Sequence, residues 1–449
     1  MNLVNQTASK EPEVEAQEPM LPLEAKHTPL RVLWSKVLLP FLAIRLLLEL
    51  IGLITFYYVQ PLLDRKLPVG SDLRGLHGRD VLLLMWKHFD SGYYLWIAHD
   101  GYAGADTLHS ATNWAFFPLY PLLVHLVAAP FGSNWTLYYV MACLVSILAA
   151  LVASIYFYRL TEMELGEKVA GRAVLYLLLF PMGFYLFAIY PESLFLALAI
   201  SSIYYARLRR WGLAGLLGGL AALTRPTGIV LLVPLAWEYW QWRSEQFAPL
   251  QTTSGVVART REWARSRSLG LWRSLASWRT WLGFAALALV PVVFSLFFLY
   301  AQFKVGTFQA YFITEKYGWN RSVRNPLPLL LSSIRHPLAA NPQDWNFYAL
   351  NMLCILAFVL LLIPIFRKLP SIYGILALVF VLMPLTSGKL DSIARYYLTV
   401  FPVYMFLAWW STRGGEEQQS TRHQLIIISF ALLLSIGMVL FTLGVYSMA

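Results

Sequence analysis

Apolar stretches about the length of a bilayer crossing recur along nearly the whole 449-residue chain. They fall near 33–58, 116–131, 136–158, 172–189, 191–207, 212–240, 281–303, 347–366, 371–387, 394–411 and 424–446. Backbone groups in lipid have no water to bond, so each run must satisfy them within itself and is expected to be a helix rather than a strand. The pattern predicts an all-α polytopic membrane protein with roughly ten to twelve membrane-embedded helices. Two long polar interruptions divide it: a first loop at 59–115 and a second at 304–346. Residues 1–30 are polar and acid-rich (Glu11, Glu13, Glu15, Glu18, Glu24) and read as a disordered tail with no cleavable signal peptide, followed by a single membrane domain over 31–449.

Composition sharpens this. The chain is 58% hydrophobic and 13% charged, with mean hydropathy +0.57. A soluble domain carries about 25% charged residues, so a water-soluble fold is excluded. The net charge of +11 suits lysines and arginines kept on the cytoplasmic side and contacts to lipid headgroups, and gives no reason to expect nucleic acid. The cysteines, Cys143 and Cys354, sit in apolar runs and are expected to be small buried hydrophobes.

Charge also orients the chain. Residues 241–280 carry Arg243, Arg259, Arg261, Arg265, Arg267, Arg273 and Arg279 against Glu245 and Glu262, which marks a basic cytoplasmic loop. Arg207, Arg209, Arg210, Arg367 and Lys368 are assigned to the same side. The loops 59–115 and 304–346 and the stretch 388–395 then lie outside. The count of crossings closes only if some segments do not cross fully. The two expected to stop short are 116–131, short and Pro-rich, and 212–240, broken by Thr224-Arg225-Pro226-Thr227-Gly228.

The first outer loop holds most of the chemistry. Phe89, Tyr93, Trp96 and Ile97 recur at helical spacing over 86–98, predicting an amphipathic helix along the membrane interface that holds Asp90 near Tyr94 and Lys87. One carboxylate there suits transfer of a sugar from a lipid phosphate. The phosphate leaves as a stable anion, so one base for the incoming hydroxyl suffices, whereas glycoside hydrolysis usually needs a second carboxyl. Positive charge on the departing phosphate can come from arginine without a metal. Asp90 is the base in this reading, with Lys87, Arg225 and Arg395 as phosphate partners. Arg225 sits mid-segment, where a charge costs about 2.5–3.5 kcal/mol and usually faces a polar cavity. An anchor between half-helices, a snorkelling Arg395 and a helix-capping Glu192 are the plainer alternatives. His88 and His99 lack the spacing of a helical zinc pair, so no metal and no cofactor are expected, and Asp100-Gly101-Tyr102 reads as a turn. Tyr311, Glu315, Tyr317, Trp319, Asn320 and Arg321 could stack on a sugar or anchor the interface.

The run Phe89-Asp90-Ser91-Gly92-Tyr93-Tyr94, continuing through Ile97-Ala98 and Gly101-Tyr102 to Phe116-Phe117-Pro118-Leu119-Tyr120-Pro121, resembles the PIG-V family of mannosyltransferases, of the GT-C superfamily. Tyr190-Pro191-Glu192-Ser193, Ala222 through Gly228, and Ser392 through Pro402 look similar too, so the likeness spans roughly 35 to 410. The resemblance implies a GT-C-like helix bundle and a polyprenyl- or dolichyl-phosphate mannose donor. It also implies inverting transfer to a glycolipid or glycan acceptor, no obligatory metal, and a catalytic acid in the first outer loop, matched by Asp90. It raises Arg395 and Arg225 as donor-phosphate contacts and Glu192 near the site; Lys87, His88, Tyr93, Tyr94 and Asp100 complete the candidate donor- or acceptor-binding set. The membrane is then the plasma membrane in a prokaryote and the endoplasmic reticulum in a eukaryote. The competing readings are a secondary transporter or lipid-linked sugar flippase, which Arg225 in its broken helix would suit, and an inactive scaffold subunit.

Overall fold

The computed structural model describes residues 28–62, 80–247, 277–335, 342–390 and 392–444, with backbone alone at 247, 279, 332–335 and 342–350. The acidic tail, most of the basic 241–280 loop and the early part of the first outer loop lie outside the described residues. Among those described, every regular element is helical. Five helices are long and apolar enough to cross a membrane: Leu30–Leu62, Trp135–Leu165, Thr280–Val305, Asn351–Lys368 and Glu416–Thr442. The protein is therefore an integral membrane protein, all-α as the hydropathy pattern requires.

The remaining apolar runs fold as shorter pieces. Leu119–Phe131, Trp211–Thr224 and Ser371–Leu385 are apolar helices of ten to seventeen residues. The expected 172–189 run divides at Phe180, where the Glu167–Leu179 helix stops and a short 3-10 turn, Gly183–Leu186, follows. From Met182 to Ser193 every side chain is buried. Irregular backbone at that depth is tolerated because protein surrounds it.

The predicted break in 212–240 is present. Trp211–Thr224 ends at Arg225, whose backbone is extended (φ −150°, ψ 144°), and a turn over Pro226–Leu231 leads into Leu232–Phe247. Proline after Arg225 disfavours helical geometry at the arginine. Gly228 closes the turn: a Cβ there would lie 2.4 Å from the backbone of Ala222. Glycines also let Trp211–Thr224 lie close against the Thr280–Val305 span, since a Cβ on Gly215 would sit 1.9 Å from the Ala286 carbonyl oxygen.

The amphipathic helix expected over 86–98 is not one helix. A short Val81–Leu84 turn is followed by irregular backbone, and the helix proper runs Ser91–Asp100. Phe89 takes a left-handed conformation, φ 53°, which no α-helix accommodates. Asp90 consequently stands at the helix N-cap, ahead of the first turn. Tyr94, Leu95, Ile97 and Ala98 are buried in protein, so one face of this helix packs into the bundle.

Trp135–Leu165 packs along Glu192–Arg207, which in turn packs along Trp211–Thr224. At the arginine end of this layer lies a buried ionic knot. Arg207 bonds Glu164 and Glu238, each at 2.6 Å, Arg209 bonds Glu238 at 2.8 Å, and the Tyr373 hydroxyl donates to Glu164 at 2.8 Å. Four helices are thereby tied at one end. Glu192 begins the helix that Arg207 ends, so the knot and the site described next lie about 24 Å apart at 1.5 Å rise per residue.

Candidate active site

Four charged side chains form a chain across one end of the bundle. The Arg395 Nη1 donates to Asp90 Oδ2 at 2.9 Å, and its Nε lies 3.5 Å from Glu192 Oε1. Arg225 Nη1 donates to that same Glu192 oxygen at 2.7 Å. Asp90 comes from the loop before Ser91–Asp100, Glu192 from a helix N-terminus, Arg225 from the helix break and Arg395 from a short helix, Ile393–Tyr397. Glu192 is 1% exposed, Arg395 6% and Arg225 8%, whereas Asp90 keeps 24% of its side chain open. The acid with access is the one from the first loop, and the other three are its buried supports.

Tyrosines surround the chain. The Tyr190 hydroxyl accepts from the Asp90 backbone N–H at 3.0 Å and donates to the His88 carbonyl at 2.9 Å, which fixes the strained turn around Phe89. Arg395 lies over the rings of Tyr190, Tyr396 and Tyr185 at 5.2, 5.3 and 5.5 Å, and Arg225 lies 5.0 Å from the Tyr396 ring. A cation buried among aromatic faces keeps its guanidinium in one place. Ser392, three residues before Arg395, is also left-handed at φ 62°.

This cluster opens into a cavity of about 420 Å³, within the range of small-ligand sites. Asp90, Tyr93, Tyr94, Glu192, Arg225 and Arg395 all line it. So do Glu315, Trp319 and Arg321 of the second long polar stretch. Tyr93 stacks on Phe116 at 4.7 Å, and Trp319 meets both rings edge-on, making an aromatic part of the cavity wall. Arg321 donates to the Tyr396 hydroxyl at 3.3 Å. Its pKa is raised by Tyr396 first and by Glu315, against the cost of burial.

Three sequence-predicted residues do not line this cavity. Lys87 lies over the Tyr139 ring at 5.4 Å. His88 is packed against Phe441, and burial first, then Lys87, pushes its imidazole down to about 4, so it is neutral near pH 7. Asp100 bonds His99 Nδ1 at 2.5 Å at the other end of its helix and lines a separate apolar cleft. The physical reason is the broken helix: with Phe89 left-handed, Lys87 and His88 are turned away from Asp90. No cluster of His, Cys, Asp or Glu suited to a metal occurs among the described residues.

A second ion pair escaped the sequence reading. Arg45 and Glu49 pair one turn apart inside the first span, with Arg45 stacked 4.1 Å over Trp86 and the Trp86 indole donating to Glu49 at 3.2 Å. The i, i+4 spacing of opposite charges within an apolar run was the available signal. The pair anchors the start of the Asp90 loop to the Leu30–Leu62 span.

Glu315 gives the site a pH dependence. Burial chiefly raises its carboxyl from an ordinary 4.5 to about 7; Asp90 adds to this, while Arg321 and Lys389 oppose it. The folded state therefore holds a proton there that the unfolded chain has released. This contribution to stability is complete below 4.5 and is lost as pH rises through about 7. In Glu315→Gln, that pH-dependent part should vanish. Thermal unfolding of both proteins in detergent at about pH 5 and about pH 8 checks it; equal pH slopes would mean that Glu315 does not titrate in this window.

Residues 79–242 match the model of the family described as Mannosyltransferase (PIG-V). The match takes in the Asp90 loop, Glu192 and Arg225, and bears out the resemblance carried by the Phe89–Tyr102 and Phe116–Pro121 motifs. Over those residues the chain is similar to the mannosyltransferases that the model describes. Among solved structures it is similar to ArnT from Cupriavidus metallidurans bound to undecaprenyl phosphate, with 15% identity, 90% of this chain and 76% of that one covered, and a TM-score of 0.45. ArnT in the apo state gives 16% identity, 91% and 76% coverage and a TM-score of 0.47. The Archaeoglobus fulgidus oligosaccharyltransferase gives 12% identity, 89% and 56% coverage and a TM-score of 0.46. Comparison with curated proteins returns no match.

Proposed function

We propose that this protein is a PIG-V-type glycosyltransferase that moves mannose from a polyprenyl-phosphate donor to a hydroxyl of a glycolipid or glycan, with inversion, and that Asp90 is the general base. The observation that carries the reading is the state of Asp90. It is the partly open carboxylate of a buried charge chain, with Oδ2 held by Arg395 and the side chain lining the cavity.

In the step, the acceptor oxygen attacks C1 of the mannosyl group as its proton passes to Asp90. The C1–O bond to phosphate breaks and the electron pair leaves with the lipid phosphate. A single displacement inverts C1. Arg395 orients the carboxylate before attack; Glu192 faces Arg395 and is itself held by Arg225. The aromatic wall of Tyr93, Phe116 and Trp319 offers apolar faces to a sugar ring. No metal step is needed, because a phosphate monoester leaves readily and arginine can stabilise its charge.

The side of the membrane follows from charge. Arg207, Arg209 and Arg210 mark the cytoplasmic end of the Glu192–Arg207 helix, and Glu192 begins that helix at the other end. Transfer would therefore occur on the outer or lumenal face. The transporter alternative expects its polar groups in mid-membrane between repeats, whereas here they gather at one end beside two outer loops.

The test is incubation of the purified protein in proteoliposomes with labelled polyprenyl-phosphate mannose and a crude lipid extract. A labelled product that is stable to mild acid, with release of polyprenyl phosphate, supports the reading. Movement of intact donor across the bilayer with no such product sinks it.

A further inference from the structure

The cavity lining contains three carboxylates and four cations, so it is cationic overall before any ligand enters. Its arginines are not equivalent. Arg395 is committed to Asp90 and faces Glu192, and Arg225 is committed to Glu192. A guanidinium already neutralised by a buried carboxylate has little to give a second anion, and moving it would strand that carboxylate. Arg321 differs. Its hydrogen-bond partner is a phenol, Tyr396, at a long 3.3 Å, and it forms no salt bridge among the described residues. It is also only half-buried.

A second donor stands beside it without an acceptor. The indole N–H of Trp319, two residues earlier, is buried in the cavity wall and has no hydrogen-bond partner among the described residues. Buried donors of this kind are rare and call for an explanation. The backbone presents both side chains from a braced position. Asn320 between them is left-handed at φ 52°, and the following strand of loop is stitched to the loop before Arg395 by Ser322 N–H to the Ser387 carbonyl (3.3 Å) and Arg324 N–H to the Thr386 carbonyl (2.9 Å).

We infer that Arg321, with the Trp319 indole N–H, is the seat of the donor's phosphate, and that Arg225 and Arg395 are positioning residues for the carboxylates. This rests on the proposed lipid-phosphate donor. On donor entry Arg321 exchanges the Tyr396 phenol for a phosphate oxygen. The departing phosphate gains a negative charge as the C1–O bond breaks, so an arginine not spent on a carboxylate stabilises the transition state more than the ground state.

The test measures binding of a short-chain polyprenyl phosphate, and of the uncharged polyprenol of the same length, to protein in nanodiscs of zwitterionic lipid. Arg321→Ala should weaken phosphate binding on the order of tenfold to a hundredfold and leave polyprenol binding unchanged. Arg321→Lys should fall between, since a point charge replaces the planar fork. Trp319→Phe, which keeps the ring and removes the N–H, should cost about two- to tenfold. Unchanged phosphate binding in Arg321→Ala overturns the assignment, as does equal loss of both ligands. Arg321-dependent phosphate binding without any mannose transfer by the wild type would support the assignment while rejecting the transferase chemistry proposed above. Transfer with Arg321-independent binding would do the reverse.

Discussion

Asp90→Asn should lower mannosyl transfer by about 100- to 10,000-fold, the range a positioned general base supplies. The amide has the same shape and its oxygen can still accept from Arg395 at the position Oδ2 holds at 2.9 Å. What is lost is the ability to take the acceptor proton. The Tyr190 bridge to the backbone N–H of residue 90 is untouched, so the turn around Phe89 should persist. Thermal unfolding and detergent gel filtration like those of the wild type, together with near-normal binding of polyprenyl phosphate, would separate lost chemistry from lost structure. Asp90→Asn with wild-type turnover would remove Asp90 from the role of base.

The largest stability effect should come from Glu192. This carboxylate is 1% exposed, and one of its oxygens serves both Arg225 and Arg395. Replacing it by Gln leaves two buried guanidinium groups with Asp90 as their remaining acid in the chain, and breaking such a buried pair costs about 3–5 kcal/mol. The loss should appear as earlier unfolding in a detergent-based denaturation series. Transfer should fall with it, because Arg395 is then free to swing and no longer fixes Asp90. The double variant Glu192→Gln with Arg225→Met removes one of the stranded charges and should recover part of the stability but not the activity. If the single variant unfolds like the wild type, Glu192 is a helix-capping acid with no counterion role, the plainer alternative that a helix N-terminus permits.

These two results would locate the division of labour in the cluster. One residue touches the reacting atoms; its neighbours hold it in place in a medium where charges are costly. Every member sits at or beside a helix end or break: Asp90 after the left-handed Phe89, Glu192 at the first residue of its helix, Arg225 at an extended break, and Arg395 in a short helix that follows the left-handed Ser392. Regular membrane helices satisfy their own backbone and present mostly side chains to their neighbours. A cavity with several converging charges needs ends and breaks, and this site is assembled from them.

The sequence by itself determined the helical, membrane-embedded architecture, because runs of apolar residues leave no other way to satisfy a backbone in lipid. It also determined the break at Thr224–Gly228, since proline and glycine act locally, and it singled out Asp90 through a dense polar motif in an otherwise apolar chain. The tertiary structure decided which charges meet. Asp90 and Arg395 are 305 positions apart, and nothing local brings them to 2.9 Å. Lys87 and His88, adjacent in sequence, are turned away by one left-handed residue that the helical spacing of the aromatics could not reveal. Arg321 is distinguished from its neighbours only by what each arginine is already bonded to. Partnership between distant charges depends on how helices pack, and packing is a property of the whole bundle, whereas periodicity and turn chemistry are properties of a few consecutive residues.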